Sequence, residues 1–394
     1  MDPFQRSLEL HSSLRGKLSV RPKAPLETTD DLTLAYSPGV AEPCRVISSD
    51  PARSHDLTVR GNSVAVVTDG SAVLGLGNIG PEAAMPVMEG KAALLSRFAG
   101  IDAWPICLDT QDPDEIVAAV RAIAPGFGGI NLEDIAAPRC FEIEANLQDL
   151  GIPVFHDDQH GTAIVLLAAL LNAIKVTGKK LGDLRIVLSG AGAAGTAIAS
   201  LLRCVGYEGS HCQSAGEVIV CDSVGAIHSG REDLNAAKRS LLNYTNRHGR
   251  EGGLAQVLEG ADVFVGVSVA GLLEPGHVRS MAPDPILFAL ANPVPEIHPD
   301  EAMAAGAAVV GTGRSDHPNQ VNNLLAFPGI FRGALDSRAR QITPAMKLAA
   351  AHALADFVSE PTPERVLPSP LDEGVAECVA EAVALAAREP VTAG

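Results

Sequence analysis

Short β-branched apolar runs alternate along the chain with longer stretches of helical period. Ser63 to Thr68, Ile101 to Cys107, Ile130 to Asp134 and Pro153 to Phe155 read as strands. Between them, Glu82 to Phe98, Asp114 to Ile123 and Phe141 to Leu150 read as helices, the second opened by Asp112-Pro113. Thr162 to Val176 is a long apolar helix that bridges two halves. A second series opens at Leu184–Ser189 and continues with Val218 to Cys221, Val263 to Val267, Ile286 to Leu290 and Val309-Val310. Residues 1–25 begin polar and helical, and the last sixty, from Ser337, read as helical around a Pro-rich joint at 361–370. Continuous apolar strands, rather than alternating ones, are covered on both faces, which predicts parallel sheets flanked by helices. The pattern therefore predicts an α/β fold of two domains, residues 1–158 and 159–394, with helices closing the C-terminal end.

Composition narrows this reading. Of 394 residues 46% are hydrophobic and 20% charged, which excludes global disorder. Aromatics are only 4% and glycines number 38, so the core is built from Ala, Val, Leu and Ile. A net charge of −17 without any basic run excludes a nucleic-acid surface. The longest apolar stretch, Thr162 to Leu171, is too short to cross a bilayer, and the first twenty residues lack the apolar core of a signal peptide. Seven cysteines without a C-x-x-C pair predict free thiols in a reducing cytoplasm. Cys204, His211 and Cys212 lie close together but lack zinc-site spacing.

Two glycine loops match G-x-G-x-x-G: Gly75, Gly77 and Gly80 in GLGNIG, and Gly190, Gly192 and Gly195 in GAGAAG. Context favours the second. The unbroken run RIVLS precedes it, a helix of small residues follows, and the next strand, EVIVC, ends in Asp222. The loop Gly190, Ala191, Gly192, Ala193, Ala194 and Gly195 is thus the candidate dinucleotide pyrophosphate site of a Rossmann domain. GLGNIG, preceded by Asp69-Gly70 and followed by Pro81, reads as a tight turn beside the active site.

The acids Glu133-Asp134 and Asp157-Asp158 end two strands. Converging, they would suit a hard cation such as Mg²⁺ or Mn²⁺; otherwise they are caps or solvated loop residues. Lys91, on an otherwise apolar helix, is either an amphipathic surface lysine or a buried base. Tyr36, before Ser37-Pro38-Gly39, reads as a packed loop residue. Asn292 and Asn322-Asn323 follow strands of the second half, where ligands bind in such sheets, although asparagine is also common in turns.

These residues stand in stretches that resemble the short-chain bacterial malic enzymes: LAYSPGVAEPC, VTDGSAVLGLGNIGPEAAMPVMEGKA, INLEDIAAPRCFEIE, PVFHDDQHGTA, IVLSGAGAAG, FALANPVPEI and GRSDHPNQVNNLLAFPGIFRGALD. They keep the family's order and cover most of residues 30–350. The resemblance implies an N-terminal catalytic domain, an NAD- or NADP-binding Rossmann domain with a C-terminal helical return, and oxidative decarboxylation of (S)-malate to pyruvate and CO₂. It implies Lys91 as general base, Tyr36 as general acid and Asp157 as the residue that tunes or relays the Lys91 proton. Glu133, Asp134 and Asp158 would hold one Mg²⁺ or Mn²⁺. Asn292 and Asn323 would bind the malate carboxylates, with Asn292 also at the cofactor. Asp222 favours NAD slightly, since an acid there repels a 2′-phosphate, whereas His228 or Arg231 would face such a phosphate. A homodimer is the family's habit. Larger relatives carry a substrate-binding arginine where this chain has Ser71-Ala72-Val73. The alternatives are a non-decarboxylating 2-hydroxy- or amino-acid dehydrogenase, and a catalytically silent malate or dinucleotide sensor.

Overall fold

A computed structural model describes residues 3–206 and 212–388. The N-terminal half forms a four-stranded parallel sheet in the order β2-β1-β3-β4, from Ser63–Thr68 (β1), Asp102–Cys107 (β2), Gly129–Leu132 (β3) and Val154–His156 (β4). The second half forms a five-stranded parallel sheet in the order β6-β5-β7-β8-β9. Its strands are Arg185–Ser189 (β5), Glu217–Cys221 (β6), Val263–Gly266 (β7), Ile286–Ala289 (β8) and Val309–Thr312 (β9). β1 and β3, and β7 to β9, are buried along their whole length. Helices on both faces exclude water there, as the unbroken apolar runs require.

The helix Asp157–Thr177 begins directly after β4. The sequence pattern puts Asp157 and Asp158 in a loop and starts the helix at Thr162; the structure places both acids in its first turn. Carboxylates are favoured at that end by the unsatisfied backbone N–H groups. By length and composition the whole helix is long and apolar enough to cross a membrane, unlike its apolar stretch alone. Most of its residues are buried between the two sheets, so it is the core element that joins the halves. Helices Phe327–Asp336, Pro344–Phe357 and Val375–Ala386 pack on one another, and Phe327–Asp336 returns to the N-terminal helix Pro81–Ala99. One continuous core therefore runs from Val64 and Val66 of β1 through Leu166 and Leu170 to Ile186 and Val265 of the second sheet.

The expectation of free thiols fails at one pair: Cys204 and Cys212 form a disulfide, their Cα atoms 5.8 Å apart. Both cysteines lie between helix Ala193–Leu202 and β6, and their spacing in the sequence leaves the pairing open. Cys44, Cys107, Cys140, Cys221 and Cys378 are free. His211, the third member of the loose Cys/His group, lies outside the described residues.

Candidate active site

The register of the first sheet explains why four acids meet. Leu132 at the end of β3 lies opposite His156 at the end of β4, so the residues that follow leave the sheet side by side. Those residues are Glu133-Asp134 and Asp157-Asp158. Asp134 takes a left-handed backbone, φ 54°, uncommon for a residue with a side chain. This directs its N–H to Asp158 Oδ2 at 2.7 Å. Oxygens of Glu133, Asp134 and Asp158 lie within 4.8 Å of one another.

Lys91 belongs to this group and is not a surface lysine. It shares the buried face of helix Pro81–Ala99 with Ala84, Met88, Ala92 and Leu95, and is 7% exposed. Its Nζ lies 2.9 Å from Glu133 Oε1, donates to Asp157 Oδ2, and sits 4.2 Å from the ring centroid of Phe327. Asn131, one step back on the same face of β3, donates to Glu133 Oε2 at 2.9 Å. Neither Phe327 nor Asn131 stands out in the sequence. Phe327 sits in an apolar run that reads as core, and Asn131 inside a strand.

The electrostatics are unbalanced, with four carboxylates facing a single ammonium. Burial, against the pull of Lys91, pushes the carboxyls of Glu133 and Asp157 up to about 7 and that of Asp158 to about 6. Burial, then the adjacent Asp158 carboxylate, lifts Asp134 to about 9. For Lys91, burial opposes the charge, but Asp157 and then Glu133 outweigh it and hold the ammonium above its ordinary range. Asp134 Oδ2 is buried without a hydrogen-bond partner. Surplus buried negative charge, an orphaned carboxylate oxygen and three converging acids are the donor set a hard divalent cation takes.

The second glycine loop lies at the carboxyl ends of the other sheet, where the chain switches from β5 outward to β6 and then back to β7. Such switch points open a crevice for ligands. Here it has a volume of about 450 Å³ and is lined by Gly190, Ala191, Gly192, Asp222, Lys238 and Ser268, among others. Ala193 and Ala194 open the helix Ala193–Leu202. A Cβ on Gly195 would come 1.8 Å from the Gly190 carbonyl oxygen, so only glycine allows that close turn. GLGNIG instead makes a bridged turn, Val73 against Gly77. A Cβ on its Gly75 would come 2.8 Å from the Asn292 carbonyl oxygen. This turn therefore meets the second domain's loop after β8.

Asn292 is exposed in that loop, before a cis peptide bond to Pro293. Asn323 starts a short turn packed against the first turn of helix Asp157–Thr177, near Gly161. Tyr36 is apart from this group. It ends helix Thr29–Ala35 and is 75% exposed. The Arg231 side chain pairs with both Asp222 oxygens, at 2.7 and 3.0 Å, and with Asp233. His228 faces Glu251 at 3.5 Å.

Comparison with known proteins gives matches over nearly the whole chain. Residues 15–148 match the family model "Malic enzyme, N-terminal domain" and residues 159–388 match "Malic enzyme, NAD binding domain". The chain is 56% identical to the bifunctional malic/malolactic enzyme of Bacillus subtilis (strain 168), covering 98% of this chain and 93% of that protein. It is 50% identical to the NADP-dependent malic enzyme of Halomonas elongata, covering 97% and 93%. The crystal structure of an NAD-dependent malic enzyme from Thermotoga maritima superposes with a TM-score of 0.92 at 46% identity, covering 98% and 99% of the two chains. A second-half nucleotide site, an N-terminal buried lysine among acids, and family models across both halves lead to one conclusion: the chain belongs to the malic enzyme family.

Proposed function

We propose that this protein catalyses the metal-dependent oxidative decarboxylation of (S)-malate to pyruvate and CO₂ with reduction of NAD(P). The observation that carries the reading is Lys91, buried between Asp157 and Glu133 beside the converging carboxylates of Glu133, Asp134 and Asp158. Glu133, Asp134 and Asp158 would hold a Mg²⁺ or Mn²⁺ ion, which would supply Lewis-acid charge to the substrate oxygens. With Glu133 so engaged, Asp157 is the carboxylate left to exchange a proton with Lys91. Lys91 then takes the malate 2-hydroxyl proton as the C2 hydride leaves for the nicotinamide of a dinucleotide whose pyrophosphate lies on the Gly190–Gly195 loop. Asn292 and Asn323 hold the malate carboxylates, and Tyr36 protonates the enol carbon after CO₂ departs. The test is initial rates with malate and Mn²⁺, with NAD and NADP in parallel, recording pyruvate, lactate and CO₂. Stoichiometric pyruvate and CO₂ support the reading. Tight dinucleotide binding without turnover, or a product that keeps all carbons, overturns it.

Asp222 sets a modest preference for NAD, and Lys238 tolerates NADP. Lys238 lines the crevice and donates to Asp222 Oδ2 at 2.6 Å. Burial opposes the Asp222 charge, yet the hydrogen bonds from Arg231 and Lys238 hold the carboxyl well below its usual range. A 2′-phosphate would meet that carboxylate, but also the Lys238 ammonium. Lys238→Ala is expected to lower kcat/KM for NADP about tenfold more than for NAD, equivalent to about 1.4 kcal/mol. An unchanged ratio removes Lys238 from cofactor choice.

The reading includes a homodimer in the cytoplasm. Helices Pro3–Leu14, Thr29–Ala35 and Ala41–Ser49 bury no residue, and Leu8, Leu14, Val20, Leu34 and Tyr36 are exposed on this segment. Apolar side chains in such number call for a covering surface. A second copy supplies one, and Tyr36 would then close a cleft instead of facing solvent. Light scattering at micromolar concentration should give twice the chain mass; a monomer with full activity would remove both statements.

A further inference from the structure

One buried carboxylate outside the four-acid group grips the turn that carries two of them. Glu144, on helix Arg139–Leu147, is 8% exposed. Its Oε1 accepts the backbone N–H of His156 at 3.2 Å. Its Oε2 accepts the Gln159 side-chain amide at 3.3 Å. His160 Nε2 lies 2.9 Å from both oxygens. An ionised carboxylate only accepts, so this contact places the imidazole proton on Nε2. The ring is packed on Phe155, centroids 5.6 Å apart. Glu144 thus draws in residues 156, 159 and 160, the positions on either side of Asp157 and Asp158.

Elsewhere the turn is held by Asp158 Oδ2, which accepts the Asp134 N–H at 2.7 Å, and by Asp157 Oδ2, which accepts from Lys91. His156, the residue before the helix, is fully buried and offers it no side-chain cap. Nor is there slack: a Cβ on Gly161 would come 1.9 Å from Asp157 Oδ1. A small rotation of the first turn would move Asp158 away from the Asp134 N–H and take Asp157 off Lys91.

We propose that Glu144 is a positioning residue for the cation site: by holding His156, Gln159 and His160 it aims Asp158 at Glu133 and Asp134, and Asp157 at Lys91. This rests on the metal reading above. Glu144→Gln keeps the shape but replaces one acceptor oxygen by an NH₂ that faces donors. Loss of such an orienting partner lowers metal affinity by about 10–100-fold.

The experiment uses the full chain without substrate. Mn²⁺ binding is followed by electron paramagnetic resonance, NADH binding by fluorescence, and folding by thermal melting, for wild type, Glu144→Gln and Asp158→Asn. The expected result is a Mn²⁺ Kd raised about 10–100-fold in Glu144→Gln, with NADH affinity unchanged. If Asp158→Asn loses Mn²⁺ while Glu144→Gln binds it like wild type, Glu144 is merely structural and the proposal is overturned. If Asp158→Asn binds Mn²⁺ as wild type does, the metal reading itself fails and takes the proposal with it. Should Glu144→Gln not fold, His160→Phe keeps the ring on Phe155 and removes one donor. Its Mn²⁺ Kd is expected to rise several-fold, and an unchanged value overturns the proposal.

Discussion

Lys91→Ala is expected to lower kcat by about 10²–10⁴-fold, the range a positioned general base contributes, while NADH binding stays at its wild-type value. The separation is anatomical. Lys91 stands on the helix Pro81–Ala99 of the first domain, and the nucleotide crevice is built from loops of the second. The substitution also strips the one ammonium from beside Asp157 and Glu133. Leaving buried charges without their partner costs about 3–5 kcal/mol, so the variant should melt lower as well. Lys91→Arg separates the two effects. A guanidinium keeps the charge and part of the stability but cannot be deprotonated in a protein, so its kcat should fall nearly as far. Steady-state rates, with melting curves to show that the protein is folded at the assay temperature, check both. A kcat for either variant within twofold of wild type would assign the base elsewhere.

For Asp158→Asn the expected signature is opposite in sign on stability and large on metal response. The wild-type site gathers more negative charge than Lys91 neutralises, and its carboxyls are pushed up by burial. Removing one charge relieves that repulsion, so the metal-free variant should melt no lower than wild type. Mn²⁺ at a hundredfold its Kd stabilises a protein that binds it only when folded by about 2.7 kcal/mol. That increment should appear in wild type and vanish in Asp158→Asn, together with most of the turnover. Melting curves with and without Mn²⁺ measure it. Equal shifts in the two proteins would take Asp158 out of the ligand set.

Much of this architecture is legible in the residues alone. β-branched runs such as SVAVVT and RIVLS mark strands because such side chains fit a sheet covered on both faces. Asp112-Pro113 marks a helix start because proline at the first helical position forfeits no hydrogen bond, whereas Pro81, which counts in the sequence against a helix start, opens the helix Pro81–Ala99. The choice between GAGAAG and GLGNIG is also local, since it turns on the strand before each loop and the helix after it. Position in the chain, together with the quoted family stretches, singles out Lys91 and the four acids as candidates.

What the residues cannot state by themselves is who meets whom. The pairing of β3 with β4 at Leu132 and His156 decides that Glu133-Asp134 and Asp157-Asp158 share one corner, and it joins segments more than twenty residues apart. Burial of Lys91 depends on Phe327, which arrives from the far end of the chain by way of the C-terminal helices. The grip of Glu144 on His160, the Cys204–Cys212 disulfide and the exposed setting of Tyr36 likewise follow from how elements pack. Periodicity, caps and turns are short-range physics and are written within a few residues. Desolvation and charge pairing act between residues brought together by topology, so the chemistry of this site is decided by the tertiary structure.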